Sequence, residues 1–363
     1  MGLSMLNLSS RKDVEGFIRF NSMIFPSRRD VKERFFWQYV DNPALRDKKH
    51  PYVLLFHEKG TLVGQSLLNP CDWRYNGKAY RDYFGCDYFV LPEHRGAGGA
   101  ALAMKTIRDR RDYFAIGVSE VAQKIWKRLG VRIVGKVRLY IWFSSKWVPM
   151  ILLFSALAGR GKGKAAVKGG PPFPESVRAE GREFRLLTRI GHWHDVPWKD
   201  TLQFSRSTGF LRWRFFDSPF EYGLYSTTGK SPAYFVVRRF SSKGVDMLLL
   251  VDYRVPFRDA GSWKSVLEAS KALARRLGCG GVIAGSSHSF FDAGLQERSF
   301  RDLRSGSVIM TNTTKAGLDG ALDRRDAIFA TMADSDPDLN FEDPLGMAIG
   351  KVKGRIRGLF GWR

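Results

Sequence analysis

The sequence contains few cysteines, and these are far apart. Its 363 residues include three, Cys71, Cys86 and Cys279, with no Cys-x-x-Cys pair. An odd and scattered set excludes a small scaffold held by disulfides, and it excludes a zinc site built from thiolates. Unpaired thiols are typical of proteins in a reducing compartment. We therefore predict a cytoplasmic location.

The sequence also lacks a segment long enough to cross a membrane. Its most apolar stretch, Trp147–Ala158, falls short of the roughly 20 residues that a spanning helix needs. The N-terminus has no basic segment followed by an apolar one, so no secretory signal is predicted. A glycine-rich segment with four cations follows directly, at 159–170. Trp147–Ala158 is therefore predicted to be either a core or linker helix, or a helix lying on a membrane surface.

Acidic residues are scarce relative to basic ones. The chain has 59 Lys and Arg against 36 Asp and Glu, a formal net charge of +23. Such a charge favours an anionic partner, such as a phosphate, a nucleic acid, an acidic glycan or an anionic lipid. At 346–363 basic residues accompany apolar ones spaced three or four apart, a pattern of a membrane-surface helix or of a basic tail. We expect an anionic membrane surface to contact 147–168 and 346–363, on the inner face of the membrane, with tRNA as an alternative anionic partner.

Clusters of metal-ligating residues are weak. His192 and His194 flank Trp193 without a third ligand close by except Asp195, and the aspartates between 334 and 338 lack the glycine and the distal glutamate of a calcium loop. We therefore predict no metal site.

The two halves of the chain repeat a set of short motifs. The pattern W-x-Y-x-D-x-P at 37–43 matches W-x-F-x-D-x-P at 213–219, and D-Y-x-V occurs at 87–90 and at 252–255. In both halves, a helical pattern and a short apolar strand follow in the same order, which favours a duplicated domain. The predicted organisation is a first domain over 1–145, an apolar and basic linker over 146–180, a second domain over 181–330, and an acidic turn with a basic tail over 331–363.

The hydrophobic pattern of the first half predicts alternating elements after a strand meander. We predict helices at 11–20 and 30–40, strands at 51–57, 62–68 and 82–90, a helix from about 98 to 111, a strand at 115–118, a helix at 120–129 and a strand at 132–143. A meander that continues as β-α-β-α-β is typical of an α+β fold with a mixed sheet.

A glycine-rich turn joins the strand at 82–90 to the following helix. Gly96, Gly98 and Gly99 allow the backbone to curl so that successive N–H groups point outward, and the helix N-terminus adds a positive dipole end. Such a turn can hold a pyrophosphate. It does not end in G-K-[ST], so it is not a Walker A loop, and it departs from the Rossmann G-x-G-x-x-G pattern.

The same residues carry a family resemblance. Arg95-x-x-Gly98-x-Ala100, preceded by Val90-x-Pro92, resembles motif A of the GNAT acyltransferases, and Leu129-Gly130-Val131 resembles a later segment of that family. The similarity covers about 10–145. It implies tandem GNAT-like domains, each a mixed and mostly antiparallel sheet flanked by helices. It also implies acetyl-CoA, or another acyl-CoA, as the cofactor.

The resemblance implies roles for individual residues. Asp87 is the candidate general base, and Ser119 lies where the family opens its sheet for the thioester. Trp126 stands where many members have a tyrosine that protonates the leaving thiolate, and an indole cannot do so near pH 7. The residues predicted to contact the cofactor are Phe89, Val90, Arg95, Gly96, Ala97, Gly98, Gly99, Ala100 and Trp126.

The second half departs from the motif at 255–266. One glycine remains there, and Asp259 adds a negative charge where a pyrophosphate would lie. The resemblance therefore implies one cofactor site and a second domain that shapes an acceptor cleft. We predict an acyl-CoA-dependent N- or O-acyltransferase whose acceptor is a sugar or a sugar-linked intermediate of envelope polysaccharide synthesis. Two alternatives are a FemABX-like transferase that uses aminoacyl-tRNA, and a non-catalytic scaffold at the membrane.

Overall fold

The chain divides into two units that alternate along the sequence. The computed structural model describes residues 2–334 and Asp338, apart from 27, 29, 48–50, 111, 158–170, 194, 196–197, 229–232, 316–317, 319–321, 323 and 325. Unit 1 comprises 1–135, 191–220 and 307–328, and unit 2 comprises 136–190, 221–306 and 329–363. The predicted domain boundaries follow the sequence repeat instead of this alternation, and they stay a prediction.

Strands dominate both units. They are β1 (Gly2–Met5), β2 (Tyr52–Glu58), β3 (Thr61–Tyr75), β4 (Lys78–Val90), β5 (Tyr113–Ile116), β6 (Arg132–Phe143), β7 (Ser176–Ala179), β8 (Arg182–Leu186), β9 (Leu202–Phe204), β10 (Gly223–Ser226), β11 (Tyr234–Ser242), β12 (Val245–Arg254), β13 (Gly281–Ser286), β14 (Arg301–Thr311) and β15 (Ile328–Phe329). The helices are α1 (Arg11–Ile24), α2 (Val31–Phe35), α3 (Ala97–Asp109), α4 (Glu120–Arg128), α5 (Val148–Leu157), α6 (Thr208–Leu211), α7 (Ala260–Arg276) and α8 (Ser289–Glu297).

The sheet of unit 1 is mixed and mostly antiparallel. Strands β1 to β4 form an antiparallel meander, β5 joins β4 in parallel, and the end of β14 pairs antiparallel with β5. Strands β3 and β4 are longer than predicted because a tight turn at Asn76–Gly77, where both residues have positive φ, extends the hairpin between them. Polar residues in the distal part of β3 hide this extension from the hydrophobic pattern.

Helix α1 begins where the sequence supplies a cap. The Ser10 hydroxyl accepts a hydrogen bond from the Asp13 N–H, as is usual at a helix N-terminus. Its buried face carries Phe17, Phe20 and Asn21. The Asn21 side chain exchanges two hydrogen bonds, of 2.9 and 3.0 Å, with the amide of Gln65 on β3. This pair satisfies two buried polar groups beside the middle of the sheet.

The predicted helix at 30–40 is two short pieces. Helix α2 continues as a π-helical turn over Phe36–Val40, and α6 continues in the same way over Arg212–Phe216. The two turns carry the repeated tryptophans, and both lie in unit 1. The Trp37 indole N–H donates to the Trp213 carbonyl (2.8 Å), the Trp213 indole N–H donates to the Trp37 carbonyl (2.7 Å), and the rings stack at 5.2 Å. The repeated motif therefore packs against its own copy.

Unit 2 contains a sheet of the same kind. Strand β6 pairs antiparallel with β13, β13 pairs parallel with β12, and β12, β11, β10, β8 and β7 continue antiparallel. Helix α7 spans 17 residues and buries ten of them. Both units are thus mixed sheets flanked by helices, and the predicted α+β fold class is confirmed.

Candidate functional site

The site begins where β4 and β5 separate. Their parallel pairing covers Tyr83–Gly85 of β4 and ends there, while β4 continues to Val90. On its other side β4 stays paired with β3, but Asp87 and Tyr88 both lie opposite Ser66 because β4 carries a β-bulge. Asp87 has a positive φ of 46° in this bulge. Within the described residues, no strand pairs with the last five residues of β4 on the β5 side.

The bulge holds Asp87 in an ion pair and not in the opening. Arg28 contacts both carboxylate oxygens, one at 2.8 Å, and the Tyr39 hydroxyl donates to Oδ2 at 3.0 Å. Burial raises the pKa of Asp87, but the Arg28 guanidinium and the Tyr39 hydroxyl outweigh it and hold the pKa below 3.8. A carboxylate so stabilised is a weak proton acceptor at neutral pH. The geometry therefore argues against Asp87 as general base.

The peptide groups of β4 alternate in direction, and one of them faces the opening. The Leu91 N–H donates to the Val63 carbonyl on β3 (2.9 Å), and Phe89 lies opposite Gln65. Because neighbouring peptide groups of a strand point to opposite sides, the Val90 N–H and carbonyl point toward β5. The Phe89 side chain lies elsewhere, with its ring edge-on to those of Phe20 and Phe25. Val90 thus offers a backbone donor at the opening, and Phe89 does not.

The N-terminus of α3 lies directly after β4 and has no side-chain cap. Its N-cap is Gly96, and the first N–H groups of a helix have no acceptor within the helix. Ala97 and Ala100 are exposed in this first turn, together with Gly96 and Arg95. The Arg95 Nε donates to the Val90 carbonyl (3.0 Å), which ties the turn to the free edge of β4. First-turn N–H groups without a side-chain acceptor, together with a positive dipole end, are an arrangement that can hold an anion.

Gly98 is required for packing. A Cβ at this position would lie 2.3 Å from the Phe56 ring of β2. Helix α3 can therefore approach the sheet closely only with glycine here. Gly99 is less crowded, because a Cβ added there would lie 3.7 Å from its nearest neighbour, the Tyr88 hydroxyl.

Tyr88 was not predicted and, like Arg95, joins β4 to the start of α3. Its hydroxyl donates to the Gly99 carbonyl at 2.8 Å, and burial raises its pKa to about 12. Trp126 is 5% exposed and packs edge-on against Tyr88 and Tyr113. The indole predicted to contact the cofactor thus lies in the core under α3 and α4, where it supports the Tyr88 ring.

Ser119 follows β5, on the other side of the opening. It is exposed and caps α4, where its hydroxyl accepts a hydrogen bond from the Ala122 N–H at 3.4 Å. The described residues thus bring together Val90 and the turn from Arg95 to Ala100, while Asp87, Phe89 and Trp126 face into the protein.

Residues 17–131 match the acetyltransferase (GNAT) family. This part of the chain resembles the GNAT family. The match covers the opening between β4 and β5 and the turn before α3. It confirms the predicted family and the predicted enzyme class, an acyltransferase. Among curated proteins no match to this sequence is found.

Solved structures extend the similarity beyond the GNAT segment. A GCN5-related N-acetyltransferase from Anabaena variabilis has a TM-score of 0.54 and 10% identity, covering 85% of this chain and 72% of that one. An N-myristoyltransferase from Saccharomyces cerevisiae with bound myristoyl-CoA has a TM-score of 0.52 and 12% identity, covering 85% and 78%. A probable N-acyltransferase from Enterococcus faecalis has a TM-score of 0.51 and 11% identity, covering 86% and 72%. At such identities these similarities establish the fold.

Unit 2 has a similar strand separation, but its own chain fills it. Strand β12 continues four residues past its pairing with β13, and a bulge lies beside this point, as in the GNAT segment. The Ala333 N–H donates to the Val251 carbonyl (3.0 Å), and the Tyr253 hydroxyl donates to the Gly285 carbonyl (3.0 Å). A Cβ at Gly285 would lie 2.7 Å from Met332. Residues 330–334 thus occupy this opening.

The helix that follows this strand is also closed to anions. The Asp259 carboxylate caps α7 and accepts a hydrogen bond from the Ser262 N–H at 2.9 Å. In α7 a negative side chain therefore accepts from the first turn of the helix. The first turn of α3 has no such side-chain acceptor. The contrast between an uncapped α3 and a capped α7 matches the sequence difference at 255–266.

The described residues bring no group of three or more His, Cys, Asp or Glu side chains together in a way that could hold a metal ion. His194 and Asp336, which belong to the two weak clusters of the sequence, lie outside those residues.

Proposed function

We propose that unit 1 binds one acyl-CoA and transfers its acyl group to an amine or a hydroxyl. The observation that carries the proposal is the uncapped N-terminus of α3 beside the unpaired edge of β4. The pyrophosphate of CoA would lie on the N–H groups of the first turn of α3, near Arg95. The amide-bearing arm of the cofactor would pair with the free edge of β4 at Val90, as an added strand does.

The proposed chemistry is direct attack on the thioester carbonyl. The acceptor nitrogen or oxygen forms a bond to the carbonyl carbon and loses its proton to water, while the carbonyl oxygen gains negative charge. The bond to sulfur then breaks, and CoA leaves as its thiolate. The Val90 N–H, which points into the opening, is the donor that this geometry offers to the developing oxyanion. A thiol has an ordinary pKa of about 8.5, so its thiolate can leave near neutral pH without the tyrosine that Trp126 replaces.

We propose acetyl-CoA as the donor and a sugar or sugar-linked intermediate of envelope polysaccharide synthesis as the acceptor. The support is the net charge of +23, which favours a phosphate-bearing acceptor such as a nucleotide-linked or lipid-linked sugar. Release of free CoA thiol from acetyl-CoA, measured over a panel of amino sugars and nucleotide sugars, tests this choice. Thiol release with longer acyl-CoA only would contradict acetyl-CoA as donor.

The FemABX-like alternative is less well supported. An aminoacyl-tRNA presents no pyrophosphate at this point, so the open turn at Gly96 and Ala97 would have no ligand. The scaffold alternative leaves the same turn without a purpose.

A charge placed in the turn is expected to block the cofactor without harming the fold. Replacing Ala97 by aspartate adds an anion at the first position of α3, where acidic residues stabilise a helix. The same charge repels a pyrophosphate, so we expect CoA binding to weaken at least tenfold, which is about 1.4 kcal/mol. Isothermal titration calorimetry with CoA and with acetyl-CoA measures this change.

Ala97→Asn is the matched control, since asparagine has the same shape as aspartate and no charge. It should bind CoA more tightly than Ala97→Asp, and both variants should unfold at or above the wild-type temperature. The wild type should bind one CoA per chain, because unit 2 is filled by residues 330–334. A wild type that binds no CoA at high micromolar concentration, or equal binding by the aspartate and asparagine variants, would overturn the proposed site.

A further inference from the structure

Helix α5 and the residue before it expose an apolar face to solvent. Trp147, Met150, Ile151 and Phe154 are each between 45% and 62% exposed. Their spacing of three, four and seven residues places them on one side of the helix. Single exposed apolar residues are common, but four on one face form a patch of the kind that marks an interaction surface.

The opposite face fixes the orientation of the helix. Val148 and Leu152 are 7% and 1% exposed, and the Val148 side chain lies against Gly280, where an added Cβ would approach it to 3.0 Å. The Ser144 N–H donates to the Gly280 carbonyl at 2.9 Å, which anchors the segment before α5 to the start of β13. The helix is therefore held on unit 2 by one side and presents the other outward.

The chain around this helix carries positive charge only. Between 136 and 174, within unit 2, the sequence contains seven Lys and Arg residues and no Asp or Glu. Lys146 lies 5.4 Å from the Trp147 ring, and Arg275, exposed at the end of α7, lies 4.8 Å from the Trp142 ring. Asp246 is an acid near this end of β13, since its carbonyl accepts from the Gly280 N–H. Glu268 is a second acid here, since it pairs with Lys271 beside the Trp142 ring. The basic residues outnumber these two acids.

We propose that this face of α5 docks unit 2 on an anionic lipid bilayer. The helix has ten residues and cannot cross a membrane, and no helix in the described part of the chain is both long and apolar enough to do so. It would lie in the plane of the interface, with Trp147, Met150, Ile151 and Phe154 among the acyl chains and the basic residues at the headgroups. Apolar contact with adjacent cations is the pattern that anionic lipid surfaces attract. A protein that covered the same face in place of the bilayer would need acidic residues opposite Lys146 and Arg275. The experiment below distinguishes this alternative.

A charge on the exposed face separates this proposal from non-specific attraction. We expect the full chain to sediment with phosphatidylcholine vesicles that contain phosphatidylglycerol, and Phe154→Asp to reduce the bound fraction at least tenfold. Phe257→Asp is the matched control, because Phe257 is 54% exposed in unit 2 but lies outside α5. Phe257→Asp should bind the vesicles like the wild type. Raised salt should weaken the binding of these two proteins.

The proposal is overturned by several results. Absence of sedimentation by the wild type, equal loss in both variants, or equal binding to pure phosphatidylcholine would each contradict it. Analytical ultracentrifugation of the same proteins without lipid tests whether a second copy of the chain covers this face. A dimer that Phe154→Asp dissociates, with unchanged lipid binding, would assign the face to a second copy of the chain. CoA titration is independent of these measurements, so failure here leaves the acyl-CoA site standing.

Discussion

Replacing Asp87 by alanine is expected to lower the free energy of unfolding by about 3–5 kcal/mol, the usual cost of removing one partner of a buried ion pair. The side chains of Asp87 and Arg28 are 5% and 12% exposed, so water cannot replace the lost carboxylate. The Tyr39 hydroxyl would lose its acceptor as well. Urea unfolding followed by circular dichroism measures the change.

The contribution of the Asp87–Arg28 pair to stability is expected to depend on pH. The pKa of Asp87 is held below its ordinary value of 3.8, so the pair stabilises the fold fully above that value. This stabilisation is lost as the pH falls through the lowered pKa. Wild-type stability should therefore decline below about pH 4 more steeply than that of Asp87→Asn, which carries no titrating group there.

Asp72→Ala is the control for the buried pair. Asp72 pairs with Arg81 on the surface, where both side chains are more than a third exposed, and such pairs contribute at most about 1 kcal/mol. A comparable loss in Asp72→Ala and Asp87→Ala would contradict the account. Unchanged stability of Asp87→Asn together with a large fall in kcat would restore Asp87 as the general base.

Trp37→Ala is expected to cost about 3–5 kcal/mol, the range for deleting a buried aromatic side chain. The ring is 4% exposed, stacks on Trp213 and donates a hydrogen bond to its carbonyl. Because the two indoles bond reciprocally, the double variant should cost less than the sum of the two single ones, by roughly 0.5–3 kcal/mol. Denaturant unfolding of the four proteins completes this cycle.

An exposed tryptophan supplies the comparison for that cycle. Trp147 is 57% exposed, so Trp147→Ala should change stability by no more than about 0.5 kcal/mol. Additive costs for Trp37→Ala and Trp213→Ala would mean that the two motifs pack independently, against the contact described above.

The sequence predicted the local elements well, because local elements follow local patterns. Glycines before an apolar helical stretch indicated the start of α3, and the strand-forming residues of β2 and β4 indicated strands of the meander. The contact between the two repeated motifs could not be predicted, since Trp37 and Trp213 are 176 positions apart and no periodicity reports such a distance.

Asp87 shows why the residues of a site are harder to predict from sequence than helices and strands are. A β-bulge inserts one residue between Asp87 and Val90, so the alternation of a regular strand does not tell which face each side chain takes. The ion-pair partner of Asp87, Arg28, lies 59 positions earlier. Tyr39 stands within the repeated motif, so its recurrence as an aromatic at Phe215 was the available signal that this position has a role.

The proposed membrane contact of 346–363 concerns residues outside those described.

The alternation of the two units has a consequence for synthesis on the ribosome. Unit 1 includes 191–220 and 307–328, so the strand partner of β5 and the indole that stacks on Trp37 are made long after the turn at 95–100. Domains usually fold as units when their last residues emerge. A nascent chain that ends at 145 therefore has every residue of the proposed cofactor turn and an incomplete sheet to hold it, and cofactor can assist folding only when about nine-tenths of the chain has been translated.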